Sequence, residues 1–414
     1  MAPSKLLSKE ETNVQGFRMP ASVAQLNRLF DHAKISSIHD LDERYLGSGS
    51  KLTQRQFLAP RIVYPAPRKY PEIPNYLASY SLDDVWTEAV ELVEKNKEVQ
   101  SYLQLIHHGI SVTSIDLDDP FYPGSFKSVK RTQEQILNVR KSSKVPTNDR
   151  ITRSHASRMA VEQGPPAPPA PPAPPAPPAS AGQTGTLMKA WLKSKLALQV
   201  RQRTSSAPPE ETSSGTPMET TSDDTGEPYV PDEKAEAQDE ATPNAALILL
   251  LQGVSDCVKE STTEWTFNHL HYNLSFANGD FNAWTDGALR SIFGHKTSAI
   301  VEAKKCRRLE RTDEIVMQEG AEVVGWLLAD RGRFPALNGH RVIISQDFQD
   351  IYVTFASYHD EYLDYLQTGD GKGKITANAF LKMQTFGPFS ISKPKDMHAF
   401  AVLMTAMTLA VQRA

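Results

Sequence analysis

Residues 298–305 read SAIVEAKK, and this stretch decides how the second half of the chain is interpreted. It is small and apolar up to Val301 and then turns charged, a pattern typical of a strand that starts buried and ends at a polar site. Side chains two apart on a strand point to the same face, so Glu302 and Lys304 project together while Ala303 points into the core. The sequence therefore predicts a carboxylate and an amine side by side at the end of a buried strand.

Helix and strand patterns alternate on both sides of this stretch. Residues 244–260, NAALILLLQGVSDCVKE, place their leucines and valines on one face of a helix, for which Asn244 is the predicted N-cap. Asn278-Gly279-Asp280 is a sequence typical of a hairpin turn, and it lies between two strand-like stretches. In chain order we predict a helix (244–260), a strand (266–276), a strand with Asp286 (282–293), the strand with Glu302 and Lys304, a helix (313–330) and two more strands (340–345 and 350–357). This order predicts an α/β domain over residues 244–414, with a mixed central sheet flanked by helices.

Asp286, Glu302 and Lys304 are the residues of this domain that could carry chemistry. Two carboxylates suit Mg²⁺, which prefers oxygen ligands and keeps several waters. An adjacent lysine can position or deprotonate an attacking water and can stabilise negative charge on a phosphate. The three side chains together suggest metal-assisted attack on a phosphodiester.

Residues 244–414 resemble the PD-(D/E)XK nuclease superfamily and, within it, the large and poorly characterised groups found in fungi. Asp286 matches the motif aspartate, and Glu302 and Lys304 match the (D/E)XK pair after a gap of fifteen residues. Gln318 matches a glutamine often found on the helix that follows. The resemblance covers about 40% of the chain.

This resemblance implies a restriction-endonuclease-like core that hydrolyses phosphodiester bonds of nucleic acid, with DNA as the expected substrate and RNA as the alternative. It implies Mg²⁺ or Mn²⁺ as the cofactor, held by Asp286 and Glu302. Lys304 would assist the water, and Gln318 would orient the water or the substrate. Thr285 stands where the motif has proline; the aspartate after it carries the chemistry.

The first helix of the family often carries an acidic residue near the metal. Glu260 is the predicted third metal ligand on that ground, with Glu264 as its alternative. His269 and His271 lie two apart on a predicted strand, but no further ligands follow at zinc-site spacing, so a zinc cluster is disfavoured.

Each of these assignments has an ordinary structural alternative. Glu302 and Lys304, with the lysine after them, could be the solvated end of a strand. Asp286-Gly287 could be a hairpin turn. Gln318 and Glu322 lie one helical turn apart and could form an ordinary polar helix face.

A run of basic residues follows the predicted site and could contact phosphates, or could be a solvated helix entry. Its members are Lys304, Lys305, Arg307, Arg308 and Arg311. Residues 244–414 nevertheless carry a net charge of −2, whereas nucleic-acid-binding domains are usually basic. This charge favours the alternative of a catalytically inactive module that keeps the nuclease fold and binds nucleic acid or protein.

The remainder of the chain predicts two further regions. Residues 1–150 form a mainly helical accessory region, and residues 151–243 form a disordered linker. The linker contains five Pro-Pro-Ala units (165–179), a basic segment (187–203) and an acidic stretch (205–243). A third possibility for function is therefore an interaction protein whose linker recruits a proline-binding partner.

Composition places the protein in a reducing compartment. The chain has only two cysteines, and its N-terminus lacks the apolar region of a secretory signal. No apolar run is long enough to cross a membrane. We expect an intracellular protein, nuclear or cytoplasmic, with no membrane partner.

Overall fold

We analysed a computed structural model of the chain. The described residues are Val14, 17–35, 37–41, Gly49, 52–138, 239–294, 296–330, 336–369 and 378–414. Most of the predicted linker, with its Pro-Pro-Ala units and its basic segment, lies outside the described residues.

The described helices and strands are named here in chain order. The helices are α1 (Val23–Ala33), α2 (Gln54–Leu58), α3 (Asp83–Lys95), α4 (Lys97–His107), α5 (Phe126–Leu137), α6 (Ala241–Ser255), α7 (Thr312–Ala329), α8 (Asp360–Thr368) and α9 (Pro394–Arg413). The strands are β1 (Ile62–Val63), β2 (Thr263–Thr266), β3 (His271–Phe276), β4 (Gly279–Trp284), β5 (Gly287–Ser291), β6 (Thr297–Lys304), β7 (Arg341–Asp347), β8 (Asp350–Ser357) and β9 (Leu381–Ser390). Short 3₁₀ turns span Ile38–Asp40, Tyr70–Tyr76, Ala78–Tyr80, Val112–Ser114, Arg308–Glu310 and Leu337–Gly339.

Seven of the strands form one mixed sheet in the order β1-β9-β8-β7-β6-β5-β2. The β6–β7 and β1–β9 pairs are parallel, and the other neighbours are antiparallel. Strands β3 and β4 form a separate antiparallel hairpin, which we call the β3–β4 hairpin. The predicted α/β class and the mixed central sheet flanked by helices are confirmed.

The sheet is buried on both faces, as the long apolar runs of its central strands require. Val301 and Val342 belong to a core shared with α3, α6 and α9. Ile300 and Ile343, one residue away on each strand, belong to the opposite core with α1, α7, α8 and the β3–β4 hairpin. Because neighbouring strand residues face opposite sides, each strand contributes to both cores.

The N-terminal helices and the C-terminal sheet share these cores. Strand β1 extends the sheet beside β9, and α5 packs on α6. The Phe126 ring lies so close to Gly253 that a Cβ built there would be 3.1 Å from it. The described residues on either side of 139–238 form one compact unit, so the predicted accessory region and the predicted nuclease-like domain stabilise each other.

The start of α6 differs from the prediction. Asn244 is not the N-cap, because the helix begins at Ala241 and Glu240 precedes it. Asn244 instead donates from Nδ2 to the backbone oxygen of Asp286 at 3.1 Å. The early start brings Glu240 close to the end of β6.

No helix in the described part of the chain combines the length and apolar composition that a membrane crossing requires.

Replacing Phe126 by Ala tests the shared core. Phe126 is 1% exposed and stacks on Tyr102 with ring centroids 5.1 Å apart. We expect a loss of about 3–5 kcal/mol in the free energy of unfolding. Trp265 and Trp326 are buried in the C-terminal part, so tryptophan fluorescence reports on its unfolding. Because the core is shared, the denaturant unfolding curve should stay a single transition and shift to lower denaturant concentration.

Leu117→Ala is the matched control, since Leu117 is 74% exposed and should change the free energy of unfolding by less than about 0.5 kcal/mol. Two separate transitions in Phe126→Ala, with the later one unchanged from wild type, would contradict a shared core.

Candidate active site

Asp286 lies where the chain leaves the β3–β4 hairpin and enters the seven-stranded sheet. The backbone N–H of Thr285 donates to Leu270 O at 3.0 Å, and that of Asp286 donates to Val301 O at 2.8 Å. Strand β4 before it pairs with β3, and β5 after it pairs with β2 and β6. The hairpin-turn alternative for Asp286-Gly287 is therefore wrong, and the chain crosses between two sheets there.

Glu302 projects from β6 toward α7. It is 1% exposed and lies on the same strand face as Ile300, which packs in the α7 core. Asp286 is beside it, because Asp286 Oδ2 accepts a hydrogen bond from Ala303 N at 2.9 Å. For Glu302 the alternative of a solvated strand end is wrong.

Lys304 and Gln318 both donate to one oxygen of Glu302. The Lys304 ammonium donates to Glu302 Oε1 and lies 3.7 Å from Glu240 Oε1. Gln318 Nε2 donates to Glu302 Oε1 at 2.6 Å and to Glu322 Oε1 at 2.9 Å. The structure thus brings together the four predicted catalytic residues.

Glu322 is a member of this cluster and not part of a solvated helix face. It is fully buried, and its Oε2 receives no hydrogen bond from the described residues. A buried carboxylate oxygen without a donor is costly unless a proton or a cation compensates it. The polar-face alternative for Gln318 and Glu322 is therefore wrong.

The acidic residue that α6 brings to the site is Glu240 and not Glu260. Glu240 immediately precedes α6, whereas Glu260 lies five residues beyond its last residue, Ser255. A helix of this length is about 22 Å long, and Glu260 O accepts a bond from Gln412 near the end of α9. The alternative, Glu264, is exposed on β2 opposite Arg290. This placement contradicts the predicted metal-ligand role of Glu260 and of its alternative.

Burial and mutual repulsion govern the charge of the two glutamates. Burial, reinforced by the nearby Asp286 carboxyl, raises the pKa of Glu302 to about 8. Burial and the Glu302 carboxyl raise the pKa of Glu322 well above its ordinary value. Burial also raises the pKa of Asp286, although less strongly. The Lys304 ammonium, in contact with Glu302, can balance the negative charge of one carboxylate. We therefore infer that the Glu302–Glu322 pair retains a proton at neutral pH.

Lys304 remains charged in this environment. Burial acts to lower its pKa, but attraction to the Glu302 and Glu240 carboxylates outweighs burial and raises it. A lysine with a raised pKa holds its proton at neutral pH. It can donate hydrogen bonds and stabilise negative charge, but it cannot remove a proton from water in this state.

Arg308 forms a second buried cluster behind the site. Its guanidinium donates to Glu319 of α7, to Asp347 Oδ2 at 2.5 Å and to Ser345 Oγ at 2.9 Å. Asp347 is the register partner of Lys304 across the parallel β6–β7 pair. Arg308 therefore forms internal ion pairs, and neither alternative for the basic run, phosphate contact or a solvated helix entry, holds for this residue.

Two features bear on metal binding. No group of three or more His, Cys, Asp or Glu side chains among the described residues has an arrangement that would hold a metal ion. The oxygen-only donor set of Asp286 and Glu302, with the unpartnered Oε2 of Glu322 nearby, nevertheless fits a hard divalent cation that keeps waters as its remaining ligands. The two predicted carboxylates are the first candidates for protein ligands.

Comparison with known proteins gives no matching family model, no matching curated protein and no matching solved structure.

Sequence reasoning missed Glu240 and the roles of Glu322 and Arg308. Glu240 lies in an acidic, proline-containing stretch, so its composition indicated linker. Glu322 is an isolated charge in the otherwise apolar sequence GAEVVGW, a signal that could have indicated a buried polar role. Arg308 stands within a basic run, and nothing local distinguishes it from its basic neighbours.

Glu322→Gln tests the buried carboxyl pair through stability. Because the folded-state pKa values of these glutamates are raised, wild type loses stability as the pH rises from the ordinary value of 4.5 towards about 8. Glutamine removes the ionisable group and keeps the acceptor for Gln318. We expect the variant to gain stability relative to wild type, little at pH 5 and on the order of 1–3 kcal/mol at pH 8.

Denaturant titrations at both pH values measure this difference. Glu314→Gln on the same helix is the control, because its side chain is 70% exposed, and the change should stay within about 0.5 kcal/mol at either pH. Equal destabilisation of Glu322→Gln at both pH values would show that Glu322 is an ordinary buried acceptor.

Proposed function

We propose that this protein is a divalent-metal-dependent nuclease that hydrolyses phosphodiester bonds of nucleic acid, with DNA as the expected substrate. The supporting observation is the convergence of Asp286, Glu302, Lys304 and Gln318, which come from a sheet-crossing segment, a strand and a helix. Glu302 Oε1 accepts hydrogen bonds from Lys304 and Gln318. Asp286 accepts a hydrogen bond from the backbone N–H of Ala303 on the same strand.

The order of elements also supports a restriction-endonuclease-like core. The helix α6 is followed by β2, by β5 after Asp286, by β6 with Glu302 and Lys304, by α7 with Gln318, and by β7. The sequence patterns predict this succession with two differences: residues 266–276 form β3 after a separate β2, and residues 282–293 are divided between β4 and β5. The acidic residue immediately before this first helix, Glu240, also reaches the site.

In this proposal Asp286 and Glu302 hold Mg²⁺ or Mn²⁺. The bound cation would lower the pKa of a water and polarise a phosphoryl oxygen. The side chain of Asp286 is 27% exposed and that of Glu302 is 2% exposed. Asp286 therefore lies at the solvent side of the site, and Glu302 forms its floor.

Lys304 and Gln318 would position the reacting groups and stabilise negative charge. Lys304 stays cationic, so its function is to donate to the phosphate or to the attacking water and to stabilise developing negative charge. Gln318 donates to both Glu302 and Glu322 and so holds the two carboxyl groups at a fixed separation. In the proposal its amide also orients the water or the substrate. The proton held by the Glu302–Glu322 pair must leave before Glu302 can act as an anionic ligand.

Lys304→Ala tests catalysis in the full-length protein. We expect metal-dependent nicking of plasmid DNA to fall by at least about 100-fold, because the developing negative charge loses the cation that the proposal assigns to it. Lys382→Ala, at an exposed position of β9, is the matched control and should keep nicking within a few-fold of wild type.

The full chain is required, because the N-terminal helices share its cores. Nicking by Lys304→Ala at the wild-type rate would exclude this site. Binding of DNA by wild type without nicking under Mg²⁺ or Mn²⁺ would instead support the inactive binding module.

Metal binding should release protons. Calorimetric titration of Mn²⁺ at pH 7, in two buffers with different enthalpies of ionisation, should give different heats, and affinity should rise as the pH approaches about 8, the pKa of Glu302. Asp286→Ala and Glu302→Ala should each abolish the binding. Equal heats in both buffers, or unchanged binding in both variants, would place the metal elsewhere.

A further inference from the structure

The outer face of the β3–β4 hairpin carries an aromatic pair beside the candidate active site. The inner side chains of the hairpin, Tyr272, Leu274, Phe276, Phe281 and Ala283, are buried in the α7 core. On the outer face, His271 and Trp284 are register partners. Their rings stack with centroids 4.1 Å apart and an interplanar angle of 14°. Trp284 remains 56% exposed although one face of its ring lies on His271.

The aromatic pair is attached firmly to Asp286. Trp284 precedes Asp286 by two residues, so their Cα atoms are at most about 7 Å apart. Thr285, between them, binds Leu270 through a backbone bond of 3.0 Å and through its hydroxyl at 3.1 Å. His269 Nδ1 donates to Thr285 O at 2.8 Å and lies 3.8 Å from Asp286 Oδ1.

The surroundings of the pair suit a nucleotide. The neighbouring outward positions are the amides Asn273 and Asn282, and Asn282 Oδ1 lies 2.7 Å from His271 Nε2. Such amides offer hydrogen bonds to base edges or sugars. The acidic residue of this face, Asp280, lies at the turn, at the opposite end of the hairpin from Trp284.

We propose that Trp284, supported by His271, is a stacking platform for an unpaired base of a single-stranded nucleic acid whose neighbouring phosphate lies at Asp286. The placement of the phosphate rests on the proposed function; the stacking itself does not. Aromatic side chains bind single strands by stacking on exposed base faces. A duplex buries those faces in its own stack, so the platform selects single-stranded regions over intact duplex.

Trp284→Ala in the full-length protein tests the platform. The probe is a fluorescein-labelled twenty-nucleotide oligothymidylate, with binding followed by fluorescence anisotropy in EDTA so that no cleavage occurs. We expect affinity to fall about 5- to 150-fold, the range for loss of one stacked base. Trp284→Phe should recover most of the loss because it restores a ring.

Phe293→Ala is the matched control. Phe293 is an aromatic residue that is 84% exposed, and it follows β5 at the end away from Asp286. Its removal should leave the affinity for the oligothymidylate unchanged. A twenty-base-pair duplex should bind wild type and Trp284→Ala equally, and an oligouridylate shows whether the platform accepts RNA.

The outcomes separate the platform from the nuclease. Wild-type affinity for the oligothymidylate in Trp284→Ala, or an equal loss on duplex, would overturn the platform even if Mg²⁺-dependent nicking is present. Failure of wild type to bind any single strand would also overturn it. A loss of single-strand affinity in Trp284→Ala, without any nicking by wild type, would support the platform and count against the proposed catalysis.

Discussion

The structure depends on a carboxylate placed where the sheet would otherwise require an apolar side chain. Glu302 occupies a core-facing position of β6 and is almost entirely buried. A buried carboxyl of this kind is tolerated only when hydrogen-bond donors, a counter-ion or a retained proton compensates it. Lys304 on the same strand and Gln318 on α7 donate to it, while Asp286 accepts from the backbone N–H of Ala303 next to it. The contacts around this one side chain therefore connect β6 to α7 and to the segment that enters β5.

The Arg308 cluster stabilises the same arrangement from the other side. Its guanidinium joins Glu319 on α7 to Asp347 and Ser345 on β7, and Asp347 Oδ1 remains without a partner among the described residues. Burial raises the pKa of Asp347 to about 6 despite the ion pair with Arg308. Glu319 and Glu322 lie about one turn apart on α7 but belong to two separate ionic clusters. Arg308 is the cation of the Glu319 cluster, and Lys304 is the cation of the Glu322 cluster, where it faces two buried glutamates.

The sequence was sufficient where a pattern is local and repetitive. Because side chains two apart on a strand share a face, the sequence predicts that Glu302 and Lys304 project together, and it predicts the helix over 313–330 that carries Gln318. It was insufficient where tertiary pairing decides. The sequence predicts a continuous strand through 282–293, whereas the pairing partners change at Thr285, between β4 and β5. The participation of Glu240 depends on how α6 lies across the sheet, and no local pattern encodes that. The burial of Arg308 depends equally on partners from α7 and β7, distant in sequence.

The packing of α5 on α6 has a consequence for the covalent chain. These helices flank residues 139–238 in sequence, yet they touch each other, and β1 on one side of that interval pairs with β9 on the other. The peptide connection between the two halves is therefore not what holds the sheet together. A chain cut within the interval would remain a noncovalent complex, and two separately synthesised fragments could complement each other to restore the same carboxylate site.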